Sequence, residues 1–155
     1  MTIDFSKQIT IKTAVAALSA SFTELTITYR AAQLIAHNFH NLAKGATFFE
    51  DHEFLGELYG TYESAYDALI ERTLGLTGSV DIIGINKKAC EIAASVPVDG
   101  KSNEDMFSVI LSIEKTLCGL IKTSVPGSTD GTQNLLQGLS DESEARQYKL
   151  LRRLM

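Results

Sequence analysis

The sequence predicts an all-α fold, a four-helix bundle with a short extra helix in the connection between the second and third helices. Over long stretches, apolar residues recur every three or four positions, which is the spacing of one buried helix face. Turn signals that contain glycine or proline separate these stretches. With 155 residues, 45% of them hydrophobic, the chain fits one domain that covers residues 1–155.

The first helix is predicted for about residues 10–39, after a short N-terminal tail of residues 1–9. Its apolar positions form one continuous seam: Val15, Leu18, Phe22, Leu25, Tyr29, Ala32, Ala36 and Phe39. The β-branched residues at 23–28 have poor helix propensity, but packing along such a seam outweighs propensity.

The second helix follows a short break that contains Gly45. Thr47 and Glu50 have the spacing of a capping box, which predicts a helix start. The helix runs to Gly75 and Gly78, and its seam is Leu55, Leu58, Tyr62, Ala65, Leu69 and Leu76. Because the break is short, the two helices are expected to form an antiparallel hairpin.

The second half of the chain predicts three more helices. A short helix covers residues 86–95, before Pro97 and Gly100. Ser102 and Asp105 have the spacing of another cap, and the third long helix runs from there to residue 125. Its seam is Met106, Ile110, Ile113, Leu117 and Leu120. From about residue 128 a last helix is predicted, whose polar run at 140–144 forms a polar face; its apolar residues are Leu135, Leu136, Leu139, Leu150, Leu151 and Leu154.

Charge and cysteine content disfavour several classes of protein. Fourteen basic against 19 acidic residues give a net charge of −5, which disfavours non-specific attraction to nucleic acid. No stretch approaches the roughly 20 apolar residues that a membrane-spanning helix needs. Cys90 and Cys118 form no CxxC pair and are expected to be buried small hydrophobes in a reducing compartment. The predicted location is the cytoplasm.

The side chains suited to metal binding fall into two groups. The histidines lie near the predicted hairpin tip: His37, His40 and His52. The carboxylates recur every four residues on the second helix and share one face: Glu63, Asp67 and Glu71. Imidazole with carboxylate suits iron, manganese or zinc. Spacing alone does not favour a metal site. A stripe of carboxylates is more often a solvated helix face, and a histidine near a helix end more often packs or caps the helix.

The two groups are too far apart to bind one ion within a single chain. A helix rises about 1.5 Å per residue, so Asp67 lies roughly 22 Å along the second helix from His52. Two chains that pair their second helices antiparallel about a two-fold axis would bring each hairpin tip to the partner's acidic pair. A metal site here therefore implies an oligomer. The Glu-x-x-His motif of bundle-core di-iron proteins does not occur in the sequence.

An ordered set of short motifs covers about residues 30–76. It consists of H-N-F-H at 37–40, K-G at 44–45, F-F at 48–49, H-E at 52–53 and D-A-L-I-E-R at 67–72. This stretch resembles the Dps family of mini-ferritins in both residues and intervals. The intervals from His40 to His52, to Asp67 and to Glu71 are 12, 15 and 4 residues. The rest of the chain agrees with that family in helix count and in the short middle helix.

The resemblance implies a ferritin-like Dps domain that assembles into a hollow shell of twelve subunits. It implies a ferroxidase that oxidises Fe(II), typically with hydrogen peroxide, stores the ferric mineral inside the shell and so protects against oxidative damage. Carried over by position, the catalytic metal ligands would be His40 and His52 of one subunit with Asp67 and Glu71 of its partner. Iron is the expected metal, and zinc or manganese could bind the same ligands. Because ligating imidazoles must be neutral, iron uptake is expected to weaken below about pH 6.

Some positions depart from the family pattern. Asn41 stands where a tryptophan is frequent, and Gly56 stands where an acidic residue is common, which leaves open whether a second metal is bound. Near the expected three-fold pores, Asp130 is present but Asn134 stands where an aspartate is common. Other acidic side chains that could take its place are Asp141, Glu142 and Glu144.

Strong DNA binding, an activity associated with this family, is not expected. The first twelve residues contain only Lys7 and Lys12 as basic side chains, and the net charge of −5 would repel DNA. Two other functions remain open. One is a structural cage with a degraded metal site, which Gly56 and Asn41 favour. The other is a helical interaction module whose histidines and acidic residues are surface groups.

Overall fold

The computed structural model describes the backbone of residues 5–155 and the side chains of residue 20 and residues 22–155. Within these residues the chain forms five helices and no strand: α1 (Phe5–Leu42), α2 (Phe48–Thr77), α3 (Ile82–Ser95), α4 (Asn103–Ser124) and α5 (Asp130–Arg153). Helix α1 packs against α2 and α4, and α4 packs against α5. The short α3 lies in the connection between α2 and α4 and packs on α1. The predicted fold class is confirmed.

Two helices begin earlier than predicted. Helix α1 already includes Phe5, so the predicted tail of residues 1–9 overlaps it, and residues 1–4 lie outside the described part of the chain. Helix α3 begins at Ile82 rather than at residue 86. There the Asp81 side chain accepts a hydrogen bond from the backbone N–H of Gly84 at 2.9 Å. This cap satisfies one of the free donors at the helix start.

The two predicted capping boxes have different outcomes. At α4 the box of Ser102 and Asp105 is confirmed, with both reciprocal bonds present. At α2 the predicted box is wrong, although Thr47 does precede the helix. The Thr47 hydroxyl makes no capping bond; it donates to the carboxylate of Asp51 at 2.7 Å and accepts from Nη2 of Arg153 at 3.1 Å. Gly45, in the break before it, has φ of +87°, a conformation that glycine adopts readily and that helps to reverse the chain.

The predicted seams form the core, with a few exceptions. The first-helix seam is buried from Phe22 to Phe39, whereas the side chains of Val15 and Leu18 lie outside the described residues. Leu76, in the last turn of α2, is 41% exposed, and Leu151, in the last turn of α5, is 47% exposed. Ile113 and Leu120 of α4 are half-buried. The expectation of two buried cysteines is wrong for Cys90, which is exposed, and Cys118 is half-buried.

A buried carboxylate, that of Glu114 in α4, lies in the bundle core. It accepts hydrogen bonds from the hydroxyl of Tyr62 in α2 at 2.6 Å and from Nε of Arg146 in α5 at 2.6 Å. The hydroxyl of Ser143 also donates to it. Burial and the neighbouring Glu114 charge raise the pKa of Tyr62 well above its ordinary value, so its hydroxyl stays protonated as a donor. This network joins three of the four long helices.

A second polar cluster holds the start of α2 against α4 and α5. The buried carboxylate of Asp51 accepts two hydrogen bonds from Arg153, at 2.9 and 2.8 Å. It also accepts bonds from the Thr47 hydroxyl and from Nδ2 of Asn103, both at 2.7 Å. Burial alone would raise the pKa of Asp51, but these bonds outweigh it and the pKa is lowered.

Replacing Arg146 with Met would leave the Glu114 carboxylate buried without its cation. We expect the free energy of unfolding to fall by about 3–5 kcal/mol. The control is Lys149→Met, at an exposed position of the same helix, which should change it by less than about 0.5 kcal/mol. Urea denaturation at equal protein concentration measures both variants. Equal losses would contradict the role given to the ion pair.

The lowered pKa of Asp51 makes part of the stability depend on pH. The ionised carboxylate stabilises the folded state above the unfolded pKa of about 4, and this contribution disappears as pH falls through the folded pKa. We expect Asp51→Asn to be less stable than wild type by about 2 kcal/mol at pH 7. The difference should narrow between about pH 5 and pH 2, measured by denaturant titrations across that range. Parallel pH profiles would contradict this.

Candidate metal centre

His40 and His52 lie face to face at the tip of the α1–α2 hairpin. His40 is in the last turn of α1 and His52 is in the second turn of α2. Their ring centroids are 3.7 Å apart, and the ring planes differ by 24°. The five-residue break at 43–47 reverses the chain between the two helices, which brings these side chains together.

Each imidazole donates a hydrogen bond to the backbone of the other residue. Nδ1 of His40 lies 2.8 Å from the carbonyl oxygen of His52, and Nδ1 of His52 lies 2.9 Å from the carbonyl oxygen of His40. A carbonyl oxygen only accepts, so both Nδ1 atoms carry a proton, and in the neutral imidazole Nε2 keeps a lone pair. Histidines that bind metals in proteins have their second nitrogen fixed in this way. Nε2 is therefore the ring nitrogen through which either imidazole could bind a cation.

Aromatic rings flank the histidine pair. The Phe48 ring stacks on His52 with centroids 4.9 Å apart, and the Tyr59 ring meets His40 edge-on at 5.4 Å. His37 stacks on Tyr59 at 4.4 Å, is itself exposed, and its ring centroid is 6.2 Å from that of His40. These neighbours restrict rotation of the two inner imidazoles, while His37 stays outside the pair.

The carboxylates are remote from the imidazoles of their own chain. Asp67 and Glu71 are exposed one turn apart on α2. Because α2 is continuous, Asp67 lies about 22 Å along the helix from His52, as the sequence indicated. Within residues 22–155 and residue 20, no three His, Cys, Asp or Glu side chains are arranged to hold a metal ion. One chain therefore contains two separate halves of the predicted ligand set.

Comparison with known proteins identifies the fold. No protein-family model matches the sequence, and no curated protein matches it in sequence. Among solved structures, a Dps protein from Bacillus brevis aligns with a TM-score of 0.83 and 22% identity, over 92% of this chain and 98% of that one. A Dps1 variant from Mycobacterium smegmatis aligns with a TM-score of 0.74 and 16% identity, over 92% and 98%.

A third solved structure, from Vibrio cholerae O1, is a Dps protein described as a member of a broad superfamily of ferritin-like diiron-carboxylate proteins. It aligns with a TM-score of 0.67 and 24% identity, over 92% of each chain. The chain therefore has the ferritin-like fold of the Dps proteins, which confirms the predicted resemblance at the level of the fold. In the part of the chain that the structure describes, no helix is both long and apolar enough to cross a membrane.

The fixed tautomers give a prediction that needs no metal. In the metal-free protein at pH 8, we expect His40 and His52 to carry the proton on Nδ1, because each Nδ1 faces a carbonyl oxygen. Long-range proton–nitrogen correlation spectra of ¹⁵N-histidine-labelled protein distinguish the two ring nitrogens. Exposed His37 serves as the internal reference. Signals of His40 or His52 with the proton on Nε2 would contradict the assignment.

Proposed function

We propose that this chain is a ferroxidase and iron-storage protein of the Dps type, located in the cytoplasm. Fe(II) is the substrate, hydrogen peroxide is the proposed oxidant, and the ferric product collects inside a hollow shell, which limits oxidative damage. The single observation that carries the proposal is the reciprocal hydrogen bonding of His40 and His52. It fixes two adjacent imidazoles with Nε2 free to bind a cation.

The proposed site is completed by a second copy of the chain. Asp67 and Glu71 are exposed on α2 and lie far from the imidazoles of their own chain. If two subunits pair α2 with α2 antiparallel about a two-fold axis, His40 and His52 of each face the acidic pair of the other. Every dimer then holds two equivalent sites. Six such dimers in a dodecamer are our proposed assembly.

The protein groups have separate roles in the proposed reaction. The two neutral imidazoles bind and orient the ion through nitrogen, and the two carboxylates offset the greater positive charge of the ferric product. Iron, as substrate, supplies the redox chemistry, and peroxide is reduced to water by electrons from Fe(II). The aromatic side chains of Phe48 and Tyr59 keep the imidazoles in place during turnover.

One other function has a specific observation in its favour. Gly56 faces His40 without a side chain, so no carboxylate on that turn of α2 joins the two imidazoles. A cage that binds a cation but turns over little iron would fit this arrangement. Iron oxidation rates distinguish the two functions.

The first test compares the oxidation of Fe(II) in the ligand variants and in a matched control. We expect His52→Ala and Asp67→Ala each to slow oxidation by at least about 10-fold after anaerobic loading and addition of peroxide. Glu63→Ala removes an exposed carboxylate one turn before Asp67 and should leave the rate unchanged. Ferric absorbance follows the reaction. Equal, slow rates in all four proteins would favour the structural cage.

Mixed assemblies test whether the site lies between subunits. Shells co-assembled from equal amounts of His52→Ala and Asp67→Ala chains contain dimers in which one site has all four ligands. With random pairing, about a quarter of the sites are intact, so the rate should recover to about that fraction of wild type. No recovery, with assembly confirmed by light scattering, would contradict a shared site.

A further inference from the structure

The side chain of Asn103, the first residue of α4, contacts the tip of the α1–α2 hairpin. We infer that Asn103 is a positioning residue of the metal centre. Its amide fixes the break between the two helices, and the break sets how closely His40 and His52 approach each other. This inference rests on the proposed function. Asn103 is only 7% exposed, so its amide is turned into the protein.

The amide of Asn103 bonds to both sides of the hairpin. On the side of α1, Nδ2 donates to the carbonyl oxygen of Lys44 at 2.8 Å, and Oδ1 accepts from the Lys44 backbone N–H at 3.3 Å. On the side of α2, Nδ2 donates to the carboxylate of Asp51 at 2.7 Å. Lys44 lies four residues after His40, and Asp51 directly precedes His52. One side chain therefore connects the two backbone segments that carry the candidate imidazoles.

The arrangement of the two imidazoles depends on the distance between their backbones. Each Nδ1 donates to the carbonyl oxygen of the other residue, at 2.8 Å from His40 and 2.9 Å from His52. Such bonds weaken once the two heavy atoms are more than about 3.2 Å apart. Because the break joins the end of α1 to the start of α2, a change in its conformation alters both distances at once. An imidazole that loses its bond is free to rotate and to change tautomer.

The start of α4 does not require the side chain of Asn103. Ser102 and Asp105 already form the complete capping box of this helix. A buried amide is costly unless its polar groups are paired, and here every printed partner of the amide belongs to the hairpin. The burial of Asn103 is therefore explained by its contact with the hairpin and not by the formation of α4.

The experiment measures Co(II) binding to the assembled full-length protein by visible absorption. Co(II) accepts the same nitrogen and oxygen ligands as Fe(II). We expect Asn103→Ala to bind Co(II) about 10-fold more weakly than wild type, the lower end of the range for groups that orient a metal ligand. Asn103→Leu keeps the branched shape of the side chain without its amide and should show the same loss. Wild-type affinity in Asn103→Leu alone would assign the effect to side-chain volume and overturn the inference.

A second measurement, on the metal-free protein, reports on the imidazoles directly. In Asn103→Ala, the ring-nitrogen signals of His40 and His52 should move towards those of exposed His37, because the reciprocal bonds loosen. The signals of His37 should not move. This readout does not require that any metal binds.

Arg146→Met is the control for a general loss of stability. It removes the cation of the Glu114 network, and Glu114 lies eleven residues further along α4 than Asn103. This variant should lower the urea midpoint by more than Asn103→Ala does, because it leaves a buried charge unpaired. It should nevertheless bind Co(II) as wild type does, with unshifted signals of both imidazoles. Equal changes in Arg146→Met and Asn103→Ala would overturn the inference.

The outcomes distinguish this inference from the proposed function. Wild-type affinity in both variants of Asn103, with unshifted signals of His40 and His52, would overturn the positioning role and leave the proposed function intact. Absence of Co(II) binding in wild type would overturn the proposed function. The ring-nitrogen signals would then still decide whether Asn103 positions the two imidazoles.

Discussion

The buried carboxylate of Glu114 constrains how the long helices can pack. It accepts hydrogen bonds from α2 and α5 while lying on α4, so a shift of α4 or α5 would separate it from Arg146, and a shift of α2 would remove the bond from Tyr62. An unpaired charge is costly in a medium with few polar groups. Relative to apolar side chains of similar volume, a buried ion pair often adds little net stability, whereas the removal of one partner is costly. Through Tyr62 it also contacts α2, whose buried apolar residues face the same core.

The way α2 packs in the bundle also determines which of its other side chains contact α1 and which are exposed. Ten residues before Tyr62, the same helix brings His52 against the end of α1. Five and nine residues after Tyr62, it leaves Asp67 and Glu71 exposed. The single helix α2 thus carries the buried Tyr62, one of the two candidate imidazoles and the pair of exposed carboxylates. Since a continuous helix cannot bring its two ends together, the imidazole and the carboxylates could bind the same ion only if they came from different subunits.

Much of the fold could be predicted from the sequence because the apolar period is long and regular. The prediction of burial is wrong where a side chain lies at a helix end or outside the packed face of a helix. Leu76 lies in the last turn of α2, and Cys90 lies next to Ala89 on α3, where only one narrow face is packed. The predicted cap at Thr47 failed because its hydroxyl accepts from Arg153 and donates to Asp51 instead. Local spacing does not show such competition between partners.

The sequence proposes the residues of the candidate site, which stay a prediction, but it does not give their geometry. The order of motifs indicated His40 and His52, and the helix rise indicated that the carboxylates are remote. The reciprocal hydrogen bonds depend on how two helices approach, which no spacing within one helix reveals. Glu114 did carry a signal, since it lies four residues after Ile110 and three before Leu117, on the face that α4 buries. A lone charge on such a face indicates a buried partner, here Arg146.

The bond between Arg153 and Asp51 connects parts of the chain that are distant in sequence. Arg153 ends α5, and Asp51 directly precedes His52, so the last turn of the final helix holds the backbone beside a candidate ligand. Fusions or truncations at this end of the chain thus act on the hairpin tip. A tag joined next to Arg153 can therefore change metal binding by disturbing the bond between Arg153 and Asp51. A cleavable linker allows the tag to be removed before binding is measured.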